Sequence, residues 1–75
     1  MRALVYVRTQ PGKALKLVDK IRKIQGVQEV YATTGRFDLV VLAEAQDTKA
    51  LAQMVVDKIQ RTGGVLSTET SVIVE

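Results

Sequence analysis

Apolar residues along the chain switch between two spacings, and each switch marks the edge of an element. From Ala3 to Arg8, ALVYVR is rich in β-branched and aromatic residues and gives way to Gln10, Pro11 and Gly12. This predicts a strand running into a loop. From Lys13 the period lengthens, and Ala14, Leu17, Val18, Ile21 and Ile24 fall on one helical face until Gly26, a residue suited to the positive φ of a helix end. Val27–Thr33 and Phe37–Ala45 predict a second and a third strand, joined by a hairpin that contains Gly35. Asp47 then stands where an N-cap acceptor belongs, ahead of Ala50, Leu51, Met54, Val55 and Ile59 at helical spacing. Gly63 and Gly64 stop this second helix, and Val65–Val74 predicts a fourth strand.

The predicted order is β-α-β-β-α-β, and an internal repeat supports it independently of propensity. Asp19-Lys20-Ile21, leading to Gly26-Val27, recurs as Asp57-Lys58-Ile59, leading to Gly64-Val65, and Lys13-Ala14-Leu15 recurs as Lys49-Ala50-Leu51. Right-handed crossovers then place both helices on one face of a four-stranded antiparallel sheet. The expected fold class is α+β, ferredoxin-like, with residues 1–75 forming a single domain.

A sheet covered on one side should alternate apolar and polar residues, and these strands do not. Leu4, Tyr6, Val40 and Leu42 hold one parity, while Ala3, Val5, Val7, Leu39, Val41 and Ala43 hold the other. Whichever set meets the helices, the opposite face keeps an apolar patch that monomers rarely expose. Hiding ~600 Å² of it per subunit would contribute on the order of 15 kcal/mol before association costs. We therefore expect a homodimer packed sheet to sheet, the more so because 75 residues bury too little surface for a robust monomer.

Composition narrows the chemistry. The chain has no cysteine and no histidine, so it lacks a thiolate, the commonest metal ligand and the usual general base. No cofactor or metal is expected, and no catalysis. The net charge of +3 is modest, and arginines are not interleaved with aromatics, which argues against direct nucleic-acid binding. Lys13, Lys16, Lys20 and Lys23 share one flank of the first helix, a solvated face or a phosphate-binding stripe. Met1 leads at once into strand-like sequence, and no run approaches the ~18 apolar residues of a membrane span, so a cytoplasmic protein without membrane contact is expected.

The segment TTGRFD, Thr33 to Asp38, carries more chemistry than a turn requires. Together, VQEVYATTGRFDLVVLAEAQD and, after one helix, GGVLSTETSVIVE resemble the effector-binding (RAM) domain of the Lrp/AsnC, or feast/famine, transcriptional regulators over essentially the whole chain. The most specific parts are Thr34-Gly35-Arg36-Phe37-Asp38 and the final Ser67-Thr68-Glu69-Thr70 strand. The family's usual chain also carries an N-terminal helix-turn-helix and a linker, which these residues lack, so the resemblance implies a stand-alone effector domain without direct DNA binding. It further implies rings of dimers, a small amino-acid effector held between neighbouring dimers, and action on transcription by co-assembly with full-length Lrp/AsnC regulators.

A free amino acid needs donors for its carboxylate, an acceptor for its ammonium and room for its side chain. Amides around Gly35, beside Thr34, suit the carboxylate, Asp38 suits the ammonium, Arg36 and Phe37 shape the mouth, and Thr68 and Thr70 add hydroxyls. The competing reading is that Gly35 supplies turn geometry and Asp38 bonds hairpin amides. Three rival functions remain. QPGKALKLV is similar to the first helix approach of ACT domains, which would move an amino-acid ligand to Gly12 and make the chain an enzyme regulator. A small dimeric enzyme would use Asp38 or Glu69 beside Tyr6 or Tyr31, though no spacing fixes two carboxylates together. A purely structural assembly module would bind nothing.

Overall fold

The computed structural model describes residues 1–75. Its elements run β1 (Arg2–Thr9), α1 (Ala14–Arg22), β2 (Val27–Ala32), β3 (Leu39–Glu44), α2 (Thr48–Met54) and β4 (Val65–Val72), with a π-helical segment, Val55–Ile59, directly after α2. The sheet order is β2-β3-β1-β4 and every neighbouring pair is antiparallel. This is the expected ferredoxin-like α+β arrangement, with β1 and β3 in the centre.

The helix ends follow from local chemistry. Asp47 takes extended backbone angles, φ −154° and ψ 178°, and its Oδ1 accepts from the Ala50 amide at 2.8 Å, which satisfies one of the unpaired donors of the first turn. The π segment was not foreseen from the pattern. Leu51, Val55 and Ile59 are spaced by four, and in a strict α-helix each step would rotate the side chain by about 40° away from the core. The wider turn, closed by the Gln60 amide on the Val55 carbonyl at 2.8 Å, is compatible with all three staying buried. Gly26 follows α1 with φ +96°, and a Cβ there would stand 2.9 Å from the Glu44 carbonyl oxygen and would collide with the Met54 Cε. Only glycine lets the α1–β2 connection pass this close under α2.

One parity of the central strands forms the core. Ala3, Val5 and Val7 of β1, Leu39, Val41 and Ala43 of β3 and Val30 of β2 pack with Leu17, Ile21, Leu51, Val55 and Ile59 in a single cluster. Only 13 of 75 residues are buried, so the monomer's core is small.

The other parity lies on the side away from this cluster. Cross-strand register sets Tyr31, Val40, Tyr6 and Glu69 in one row and Glu29, Leu42, Leu4 and Ser71 in the next. Leu4, Tyr6, Val40 and Leu42 are half-buried there, with no layer above them. The open face is thus apolar along its centre and polar along both edges.

Candidate functional site

The TTGRFD segment closes the β2–β3 hairpin and is bonded back to β1. The Thr33 amide donates to the Asp38 carbonyl at 2.9 Å, and the Thr33 hydroxyl donates to the Phe37 carbonyl at 3.0 Å. The Asp38 amide donates to the Val7 carbonyl at 2.9 Å, and the Asp38 Oδ2 accepts from the Thr9 amide at 2.7 Å. Thr9 is buried and follows the point where the β1–β4 register shifts. Asp38 therefore pins the hairpin to the end of the central strand, which is the role of a carboxylate bonding backbone amides.

At the tip, Thr34, Gly35 and Arg36 are exposed. Gly35 has φ +101°, with nothing within 4 Å of where a Cβ would stand, so the turn requires its backbone freedom and leaves its surroundings open to an approaching group. Phe37 turns onto the open face, where its ring meets Tyr6 at 5.4 Å between centroids with a 40° tilt. The hairpin is in this way attached to the end of the apolar band.

Beside it lies a cleft of about 380 Å³ lined by Arg8, Arg36, Phe37, Ser67, Thr68 and Glu69. Register explains the grouping: Arg8 pairs with Ser67 and Tyr6 with Glu69, so the end of β1 and the start of β4 meet the hairpin at one end of the sheet. None of Arg8, Arg36 and Glu69 forms an ion pair within the chain, whose two salt bridges join Arg2 to Glu75 and Arg22 to Asp19. Two guanidiniums, one carboxylate and a free hydroxyl at Ser67 thus stand together without partners. Thr68 differs, since its hydroxyl accepts from Gln60 Nε2 at 2.8 Å.

Of the residues singled out from the sequence, Arg36, Phe37 and Thr68 line this cleft, and Thr34 and Gly35 form the adjacent hairpin tip. Asp38 is engaged with β1. Thr70 stands opposite Val5, a core residue, and lines a separate groove with Leu51, Ala52, Val55, Val56 and Val72. It does not join the others. Arg8 and Ser67 were missed, and Glu69 was considered only as an acid–base group. The signal for them was available in the topology, because β4 beside β1 sets Ser67 and Glu69 opposite Arg8 and Tyr6.

Other candidates resolve differently. Tyr31 donates a hydrogen bond to Glu29, and that bond together with the Glu29 charge holds the phenol above its ordinary pKa. The Arg2–Glu75 pair raises the guanidinium and holds the Glu75 side-chain carboxylate below the usual range. Lys13, Lys16, Lys20 and Lys23 are exposed, and Asp19 pairs with Arg22 at 3.4 Å and with none of them. Gly12 sits in a Pro-Gly turn closed by the Lys13 amide on the Gln10 carbonyl at 3.0 Å, and it lines no cleft. No group of three carboxylate, thiol or imidazole side chains is placed to hold a metal, and no helix is long and apolar enough to cross a membrane.

Comparison with known proteins gives this geometry its context. The transcriptional regulator LysM of Sulfurisphaera tokodaii is 35% identical over 74 residues, covering 97% of this chain and 52% of its own. The solved structure of TTHA0845 from Thermus thermophilus superposes with a TM-score of 0.91 at 32% identity, covering 99% of this chain and 92% of that one. A transcriptional regulator of Neisseria meningitidis, solved as a complex with L-methionine, shares the fold with a TM-score of 0.88 at 24% identity, over 99% of this chain and 49% of that one. The chain spans about half the length of the curated relatives it matches. The profile of the Lrp/AsnC ligand binding domain matches residues 2–75, hairpin and final strand included, and the protein belongs to that family.

Proposed function

We propose that the domain senses a small amino acid and reports it by assembly. The observation that carries this reading is the cleft of Arg8, Arg36, Phe37, Ser67 and Glu69, whose charged groups have no partner in the chain, next to an uncovered apolar sheet centre. A guanidinium and the amides of Thr34–Gly35 suit an α-carboxylate, and Glu69 suits an ammonium, since Asp38 already serves the Thr9 amide. Binding of L-methionine by the Neisseria relative supports an amino acid as the class of ligand.

In this reading the open faces of two copies pack together through Leu4, Tyr6, Val40 and Leu42, which leaves the hairpin ends at the rim. There, dimers meet in a larger ring and enclose the effector. The domain acts in the cytoplasm without catalysis or sequence-specific DNA contact of its own, and reaches transcription by co-assembling with helix-turn-helix relatives.

Calorimetry with the common amino acids, paired with light scattering of the same samples, tests the proposal. The expected result is saturable heat with at least one amino acid and a mass that is a multiple of two chains. Absence of heat and of thermal shift with every amino acid at millimolar concentration would overturn the sensing role, and a monomer mass at micromolar concentration would overturn the assembly.

A further inference from the structure

The charges of the cleft go further than a generic amino acid, and the following step rests on the reading above. A neutral zwitterion presents one carboxylate and one ammonium. Against them the cleft sets two guanidiniums, Arg8 and Arg36, and one carboxylate, Glu69, a net single positive charge. Once one arginine has met the α-carboxylate and Glu69 has met the ammonium, the other arginine is left over. In water this costs little. Enclosed between protein surfaces it leaves a desolvated, unpaired charge, which is strongly unfavourable.

No carboxylate of the chain forms an ion pair with either arginine. Glu69 is the only acid in the cleft, Asp38 bonds the Thr9 amide, and Arg8 and Arg36 have no acidic partner within 4 Å. The rest of the lining points the same way. Phe37 is the single apolar residue, and its ring is already in contact with Tyr6, so there is little apolar wall for an aliphatic or thioether side chain. Ser67 adds a hydroxyl able to donate to an oxygen ligand. A second carboxylate on the ligand would neutralise the cleft and use the spare guanidinium in a charge-assisted contact.

We infer that the effector is an amino acid with an acidic side chain, its two carboxylates divided between Arg8 and Arg36 and its ammonium on Glu69.

The test compares each acid with its neutral isostere by calorimetry on the whole chain: L-aspartate against L-asparagine and L-glutamate against L-glutamine, with L-methionine as the apolar control. At least one acid should bind roughly 10- to 150-fold more tightly than its amide, the range expected for a hydrogen bond to a charged group. Arg8→Gln and Arg36→Gln, both at exposed positions, assign the two carboxylates. One variant should bring the acid-to-amide ratio close to one, weakening the acid and tightening the amide, whose binding no longer strands an unpaired guanidinium; the other should weaken both ligands together. The inference is overturned if methionine or either amide binds as tightly as the acids, or if both variants keep the wild-type ratio. It is also overturned if the variants change the assembled mass and not the ratio, for then the arginines pair with acids of a neighbouring copy. Binding of neutral amino acids alone would defeat this inference and leave the sensing role standing, whereas silence with every amino acid would defeat both.

Discussion

Replacing Asp38 with alanine separates two roles that a carboxylate in the TTGRFD hairpin can have. In the structure its Oδ2 accepts from the Thr9 amide at 2.7 Å, and Thr9 is only 7% exposed. Asp38→Ala removes a charge-assisted hydrogen bond and leaves a backbone donor in a shielded place. Bonds to charged groups contribute about 1.5–3 kcal/mol, and leaving the partner unsatisfied falls in a similar range. A loss of about 2 kcal/mol is therefore expected. For a domain of this size each kcal/mol moves Tm by roughly 4–8 °C, so the midpoint should fall by about 8–16 °C.

Asp38→Asn, which keeps an acceptor oxygen and loses the charge, should lie between alanine and wild type. Thermal denaturation followed by circular dichroism reads the shift, with protein concentration held fixed because association makes Tm concentration-dependent. Calorimetry on the same preparations, at a temperature where each variant is folded, should show effector affinity changed by less than about threefold, under 1 kcal/mol. A Tm within about 2 °C of wild type, together with a tenfold or greater loss of affinity, would refute the anchoring argument and return Asp38 to the ammonium.

The remaining predictions concern backbone, titration and assembly. Gly26→Ala should destabilise more than Gly35→Ala: both incur about 1–3 kcal/mol for a side chain at positive φ, but only at Gly26 does the new Cβ also meet the Glu44 carbonyl oxygen at 2.9 Å, and the difference is read from denaturant midpoints. Ultraviolet titration should show one tyrosine ionising above the ordinary phenol range. Glu29→Gln should lower it, because Glu29 is both bond partner and charge; the raised pKa means that any associated stability is present below the unfolded value and lost as pH rises through the folded one. The opposite sign holds at Glu75, whose lowered pKa gives a contribution present above the unfolded carboxylate value and lost as pH falls through the folded one, so Glu75→Gln should flatten that part of the acid denaturation curve. Leu42→Glu, on the open face and away from the hairpin, should shift the particle to monomer in light scattering, and an unchanged mass would place the contact elsewhere.

Much of the fold was legible because the decisive signals are local. Proline and glycine at 11 and 12, Asp47 before an amphipathic run and the repeated Asp-Lys-Ile each act within a few residues, and the observed boundaries stay close to them. Phe37 and Asp38 were read as the start of the third strand. They instead lie just before it, since their backbone groups close the hairpin and bond β1. The π segment escaped because a four-residue spacing of Leu51, Val55 and Ile59 fits an α-helix nearly as well. The cleft was only partly legible, for its members come from the end of β1, the hairpin and the start of β4. Which parity of β1 faces the helices decides whether Arg8, on the same face as Tyr6, lies under the helices or on the open side, and apolar residues on both parities hid that choice. Once Val5 and Val7 are seen in the core, Arg8, Ser67 and Glu69 fall on the open face by alternation.

On the proposed function, that alternation would also tie sensing to assembly. Along β1 the open-face residues run Leu4, Tyr6, Arg8, from the apolar centre of the sheet to the charged cleft at its end, with Phe37 lying over Tyr6 at the transition. Packing of the centre against a second copy carries the rim with it, so whatever covers the apolar band also sets the solvent exposure of Arg8, Arg36 and Glu69. Covering unpaired charges opposes association, and a ligand that pairs them removes that opposition. By linkage the proposed effector would tighten assembly by the same factor by which assembly tightens the effector. In such an assembly a gain of about 1.4 kcal/mol at the rim would move the balance between free and assembled chains tenfold. A sheet with one face committed to folding and the other graded from apolar to charged would, on the proposed function, couple an amino acid to oligomeric state without any moving hinge.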